Sequence, residues 1–144
     1  MRFKQLFTAP SHSTGADIAL LLVRLVAGVA FIWHGSSKIQ NPFGWMGPNA
    51  FAPAPLQALA AVAEFGGGIL LVFGFLTALG ALGIACVMVV AIYMHAFMMR
   101  DPFISNTGGS SWELPATYLS LMILLKLVGG GRFSVDHHWF GPKD

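Results

Sequence analysis

The chain has 144 residues, 56% hydrophobic and only 10% charged, with a mean hydropathy of +0.70. Soluble domains carry about 25% charged residues, so this composition excludes a water-soluble globule and makes a bilayer the natural solvent. The net charge of +2 is too small and scattered for nucleic-acid binding, and a single cysteine, Cys86, excludes an internal disulfide and an all-cysteine metal cage.

The chain opens on a basic "MRFK", but a polar "TAPSHSTGAD" follows before the apolar run begins, and Arg24 interrupts that run. No small-residue cleavage site precedes it, so it reads as a span rather than a removable leader. A span needs about 20 apolar residues. The first is expected over 16–39, with Thr14 and Asp17 of "TGAD" as a capping box. A loop rich in Pro, Gly and aromatics follows, "QNPFGWMGPNAFAPAP". From Leu56 to Met99 the only formal charge is Glu64, over about twice the length of a span. That run therefore folds into two helices, 56–75 and 77–98, turning near Gly74 to Gly80 with Thr77 capping the third helix. A second loop, "RDPFISNTGGSSWE", leads to a short fourth span, 114–128, with Pro115 in its first turn. Residues 129–144 read as a polar tail.

The fold class expected is thus an all-α membrane protein, a four-transmembrane-helix bundle over 16–128. Arg2, Lys4, Lys126, Arg132 and Lys143 flank one side, against Lys38 and Arg100 on the other. By the positive-inside rule both termini are cytoplasmic: the segment 1–15 and the tail 129–144. The two long loops then lie outside, with Trp45 and Trp112 as interface anchors. Ala63 with Gly67, and Ala81 with Ala85, have the spacing that allows close helix approach. Cys86, in mid-span, reads as a small packing residue.

An ionisable group within a span costs about 2.5–3.5 kcal/mol even on the lenient insertion scale, and persists when it is paired or functional. Arg24, His34, Lys38, Glu64, His95 and Glu113 lie within or at the edges of the spans. Arg24, His34 and Lys38 fall within about 80° of one another on the first helix. At about 1.5 Å per residue, His34, Lys38, Glu64, His95 and Glu113 all reach the outer half of the bundle. They are expected to line one polar pocket there, with Trp33 or Trp112 stacking on a bound ring. Each has a plainer reading. Arg24 with Glu64 reads equally as a buried ion pair locking two helices, Lys38 as a snorkelling side chain, and Glu113 as a favourable charge at a helix N-terminus. His137 and His138 read as solvated tail residues, and "EFGGG" lacks the lysine and strand of a phosphate loop.

Three blocks, "LLLVRLVAGVAFIWHGSSKI", "AVAEFGGGILLVFGFLTALGALGIACVMVVAIYMH" and "SWELPATYLSLMILLKLVGGGRFSVD", resemble those of the DoxX family over Leu20 to Asp136. Arg24, His34, Gly35, Lys38, Glu64, Gly67, His95, Glu113 and Asp136 match the family pattern. The resemblance implies a small bacterial inner-membrane protein of four helices, similar to the small subunit of thiosulfate:quinone oxidoreductase. It is looser toward membrane proteins that work with thiol-redox partners. The single cysteine departs from a dithiol relay, so any thiol chemistry has to come from a partner.

The function expected first is a quinone-linked redox subunit. His34, Lys38 or His95 would donate hydrogen bonds to quinone carbonyls, and Glu113 or Glu64 would relay protons. No flavin, iron–sulfur or metal motif is present, so a partner protein would supply the electrons. Against this stands a non-enzymatic assembly subunit docking through residues 41–55. Two further readings are haem held by His34 and His95, and small-anion transport, which would need a homo-oligomer.

Overall fold

The computed structural model describes residues 12–141. The basic start with Arg2 and Lys4, and the end of the tail with Lys143, lie outside the described residues. Among the described residues all regular structure is helical. The elements are α1 (Thr14–Gln40), α2 (Ala54–Phe73), α3 (Thr77–Tyr93) running into a π-helical turn (Met94–Met98), α4 (Glu113–Val128) and a short α5 (Val135–Phe140). α1, α2 and α3 with its π turn are long and apolar enough to cross a membrane. α4 has 16 residues. At about 1.5 Å per residue it is roughly 24 Å long, short of a hydrocarbon core of about 30 Å.

The helix ends follow local chemistry. Ser13, not Thr14, caps α1: its hydroxyl accepts from the Ala16 N–H at 3.3 Å. This one-residue shift corrects the expected capping box. It turns Asp17 inward, where its buried carboxylate accepts the Arg132 N–H at 2.9 Å. α2 begins with Pro55 in its first turn, where a missing N–H costs nothing. It ends at Gly74, which adopts a left-handed φ of 64°. Leu76 is also left-handed, at φ 47°. The α3 N-terminus is satisfied from a distance, since the Asp136 carboxylate accepts the Leu76 N–H at 2.7 Å and the Thr77 N–H at 2.8 Å. Thr77 is therefore not the cap expected of it, and its buried hydroxyl has no partner among the described residues.

Consecutive helices pack side by side, α1 on α2, α2 on α3 and α3 on α4, while α1 meets α4 more lightly. The core joins Leu20, Ala27 and Phe31 of α1 to Leu71, Ala81, Ile84, Met88, Met122 and Leu125. The closest approach lies between α1 and α2. A Cβ placed on Gly68 would stand 2.7 Å from the Gly28 carbonyl oxygen, and one on Gly35 would stand 2.5 Å from the Phe65 backbone nitrogen. The α2–α3 seam uses Gly67 against Ile84 and Gly80. Outward faces are apolar: Leu22, Val26, Val29, Leu59, Val62, Val89 and Leu127 are exposed. Cys86 is exposed too, on the outward face of α3 rather than in the packing role expected of it.

The segment after α4 is not a free polar tail. Gly130, Gly131, Ser134 and Asp136 are buried as it folds back across the bundle end where α2 meets α3. The bundle thus has a tail end, closed by residues 129–140, and a long-loop end carrying residues 41–53 and 99–112.

Candidate functional site

The buried positions of α2, namely Gln57, Ala61, Glu64, Gly67, Gly68 and Leu71, form one helical stripe, so the 3.6-residue period alone turns Glu64 inward. Its partner is Lys38. The ammonium donates to both carboxylate oxygens, at 2.7 and 2.6 Å. The Glu64 side chain is 4% exposed and that of Lys38 22%. The Trp45 ring covers the pair, with the Lys38 Nζ 4.5 Å from the ring centroid. Gln57 fixes that cover: its backbone carbonyl accepts the Trp45 indole N–H at 2.9 Å, and its amide bridges the Met46 N–H and the Ala52 carbonyl. Trp45 is therefore a lid over Lys38. Gln57 was missed by sequence reasoning; a polar residue in register with Glu64 on the same stripe was the available signal.

The expected Arg24–Glu64 ion pair is not formed, and helix geometry explains why. Every Cα–Cβ bond leans toward its own helix N-terminus. On antiparallel α1 and α2, Lys38 and Glu64 lean toward each other, while Arg24 leans away toward the tail end. Arg24 is 1% exposed. Its Nε donates to the Leu71 carbonyl at 3.0 Å, Nη2 to that of Val72 at 3.4 Å, and Nη1 to those of Gly130 and Phe133. The Leu71 and Val72 carbonyls belong to the last turn of α2, the negative end of its dipole. The charge of Asp136 acts on Arg24 as well. Arg24 and Asp136 thus clasp the α2–α3 turn from both sides, one at its carbonyls and the other at its N–H groups.

Among the described residues, none of the remaining candidates makes a hydrogen bond or ion pair with Lys38 or Glu64. His34 is exposed and touches the Phe31 ring, with centroids 6.2 Å apart. It lies about 80° from Arg24 on the helix, just past the edge of the buried stripe of Arg24, Ala27, Gly28, Phe31 and Gly35. Trp33 is 81% exposed and faces away from the bundle. Trp112 packs on Phe103, with centroids 4.5 Å apart. Glu113 is exposed in the first turn of α4, the plainer of its two readings. His95 sits in the π turn, and its Nδ1 lies 2.7 Å from an Asp101 carboxylate oxygen. α1 and α3 share no extensive contact. The polar groups of the long-loop end form two separate pairs, Lys38–Glu64 and His95–Asp101.

Long helices with apolar outward faces and buried, paired charges define an integral membrane helix-bundle protein. Residues 19–96 match the DoxX family model, more than half of the chain, and the protein belongs to that family. It is 28% identical over 125 residues to the inner membrane protein YqjF of Escherichia coli (strain K12), covering 83% of this chain and 91% of that one. It is 29% identical over 133 residues to a Bacillus subtilis (strain 168) protein named "Putative oxidoreductase CatD", covering 88% and 91%. An uncharacterized Haemophilus influenzae protein is 28% identical over 123 residues, covering 84% and 90%. No solved structure matches the chain. The protein is a multi-pass protein of the bacterial inner membrane, in contact with the lipid bilayer.

Proposed function

We propose that this protein is a quinone-linked redox subunit whose site is the Lys38–Glu64 pair beneath Trp45. The observation that carries the reading is the asymmetry of that pair: a buried carboxylate is neutralised by a lysine whose own head is the more exposed member. Such a lysine can offer an N–H to a carbonyl oxygen arriving from the lipid, and Glu64 can pass a proton behind it. The Trp45 indole supplies a flat, electron-rich face beside them. A quinone head needs a donor, a proton source and a flat apolar contact, which Lys38, Glu64 and the Trp45 ring would supply. Reduction to the quinol takes two electrons and two protons. The electrons come from a partner protein oxidising a reduced sulfur compound, and the protons pass through Glu64. The printed name of the Bacillus relative also supports redox work. In this reading α4 is the fourth span, helped across by local bilayer thinning, and both termini are cytoplasmic.

Quinone extracted from protein purified in mild detergent from native membranes tests the reading. Wild-type protein and the His34→Ala variant are expected to retain quinone, and Lys38→Met and Glu64→Gln to lose it while remaining helical and monodisperse. A quinone-free wild type, or a Lys38→Met protein that keeps its quinone, overturns the proposal.

One observation favours a second reading, an assembly subunit of a larger membrane complex. The loop over residues 41–53 is tied down by Gln57, yet it leaves Phe43 and Phe51 exposed. A held loop with outward aromatics suits a protein partner. Stable partners recovered in mild detergent without any bound quinone would favour it.

A further inference from the structure

The π turn at the end of α3 carries a second set of chemistry-bearing side chains that the quinone reading does not use. Its sequence, with the residue that follows, is "MHAFMM", Met94 to Met99. Three thioethers and one imidazole fall within six residues. The wide turn is real backbone geometry: the Met99 N–H donates to the Met94 carbonyl at 2.8 Å, an i→i+5 bond. π turns are rare and occur frequently at functional sites. The chain then turns sharply through Arg100, a non-glycine residue at φ 58°, and the Asp101 N–H donates back to the His95 carbonyl at 2.8 Å. That turn sets the Asp101 carboxylate 2.7 Å from His95 Nδ1.

The π geometry changes which residues share a face. A turn closed by i→i+5 bonds advances roughly 80° per residue, against about 100° in an α-helix. At that pitch Met94, His95, Met98 and Met99 fall within an arc of about 120°, where α-helical winding would spread them over about 140°. Among the described residues the His95 ring is engaged on one side only. With Nδ1 facing a carboxylate, Nε2 is left as the free nitrogen, the arrangement in which metal-bound histidines are held by an outer carboxylate. The His95 side chain is 29% exposed, and Met98 and Met99 are 51% and 55% exposed, so the rest of the protein leaves this arc uncovered at the long-loop end. Among the described residues no three His, Cys, Asp or Glu side chains gather into a metal-binding group. A hard or borderline divalent ion has no donor set here. Thioethers with one imidazole are instead the donors that select a soft monovalent ion.

We infer that the π turn is a binding site for a soft monovalent cation, Cu(I) or its stand-in Ag(I), with His95 Nε2 and the thioethers of Met94, Met98 and Met99 as ligands. Asp101 is a positioning residue that holds the ring. The site is separate from Lys38 and Glu64 and does not rest on their role.

The test is a titration of the full-length protein in detergent with Cu(I), in competition with a chromophoric chelator, and separately with Ag(I). One ion per chain is expected. His95→Ala and the shape-conserving double variant Met98→Leu/Met99→Leu are each expected to weaken binding at least tenfold. Asp101→Asn should weaken it by about 10–100-fold, the range for loss of an outer-shell partner, with X-ray absorption still reporting nitrogen and sulfur ligands. Cys86→Ala, which removes the only thiol, should change nothing. Leucine conserves volume and helix propensity, so the double variant reports ligation rather than folding, and circular dichroism checks that each variant is intact. Three results would each overturn the inference: no binding beyond that of the double variant, loss of binding in Cys86→Ala, or a Zn(II) affinity equal to that for Cu(I) and indifferent to Met98 and Met99.

Discussion

Lys38→Met and Glu64→Gln break the same ion pair but should not cost the same. In Lys38→Met, the Glu64 carboxylate is left 4% exposed and without the two hydrogen bonds it accepts. No other donor to Glu64 exists among the described residues. Removing one partner of a buried pair and stranding the other costs about 3–5 kcal/mol. In Glu64→Gln, the amide oxygen can still accept one bond from Lys38. The ammonium retains the Trp45 face, and its side chain is already 22% exposed, so it can turn toward solvent. The loss there is about 1–2 kcal/mol, the scale of a weakened charged hydrogen bond. The gap of about 2 kcal/mol corresponds to roughly a thirtyfold difference in unfolding equilibrium. Equilibrium unfolding by SDS in mixed micelles, followed by circular dichroism, measures both variants. The double variant Lys38→Met/Glu64→Leu should recover most of the loss, because an apolar pair of similar volume replaces a desolvated ionic one. A Glu64→Gln variant as unstable as Lys38→Met would refute the reasoning, since the carboxylate would then not be the dependent partner.

Arg24→Lys should lose stability by about 3 kcal/mol, because one ammonium cannot reach carbonyls on both α2 and the returning tail as the guanidinium fork does; limited proteolysis should then cut within residues 129–141 of the variant and spare them in the wild type. Asp136→Ala removes both acceptors at the α3 N-terminus and should cost about 1–2 kcal/mol by the same unfolding assay, with Asp136→Asn milder. Gly35→Ala places a methyl 2.5 Å from the Phe65 backbone and should force α1 from α2, at a cost of about 1–3 kcal/mol. Gly66→Ala meets nothing within 4 Å and should be neutral or stabilise by up to about 1 kcal/mol, so thermal unfolding of the two should shift in opposite directions or not at all for the second.

The membrane class, the apolar helical runs and the list of costly charges were legible in the chain itself. Hydropathy acts over windows of about 20 residues, and 3.6-residue periodicity puts Glu64, Gln57 and Arg24 on inward stripes whatever the partner. Depth along each helix was legible too, because rise per residue is constant. Pairing was not. Arg24 and Glu64 look complementary on paper, yet the lean of side chains toward each helix N-terminus, combined with antiparallel packing, sends Glu64 to Lys38 and Arg24 to the carbonyls of Leu71, Val72, Gly130 and Phe133. His34 reaches the same end of the bundle but lies just past the edge of the buried stripe of α1. The N-cap of α3 lay nearly sixty residues away, in a carboxylate that no local capping rule could supply. Trp45 became a cover for Lys38 only because Gln57 holds the loop that carries it. Solvent preference and helical period are properties of a segment and can be read one segment at a time. Which charge meets which depends on the relative direction and rotation of two helices, and that is decided only when they pack.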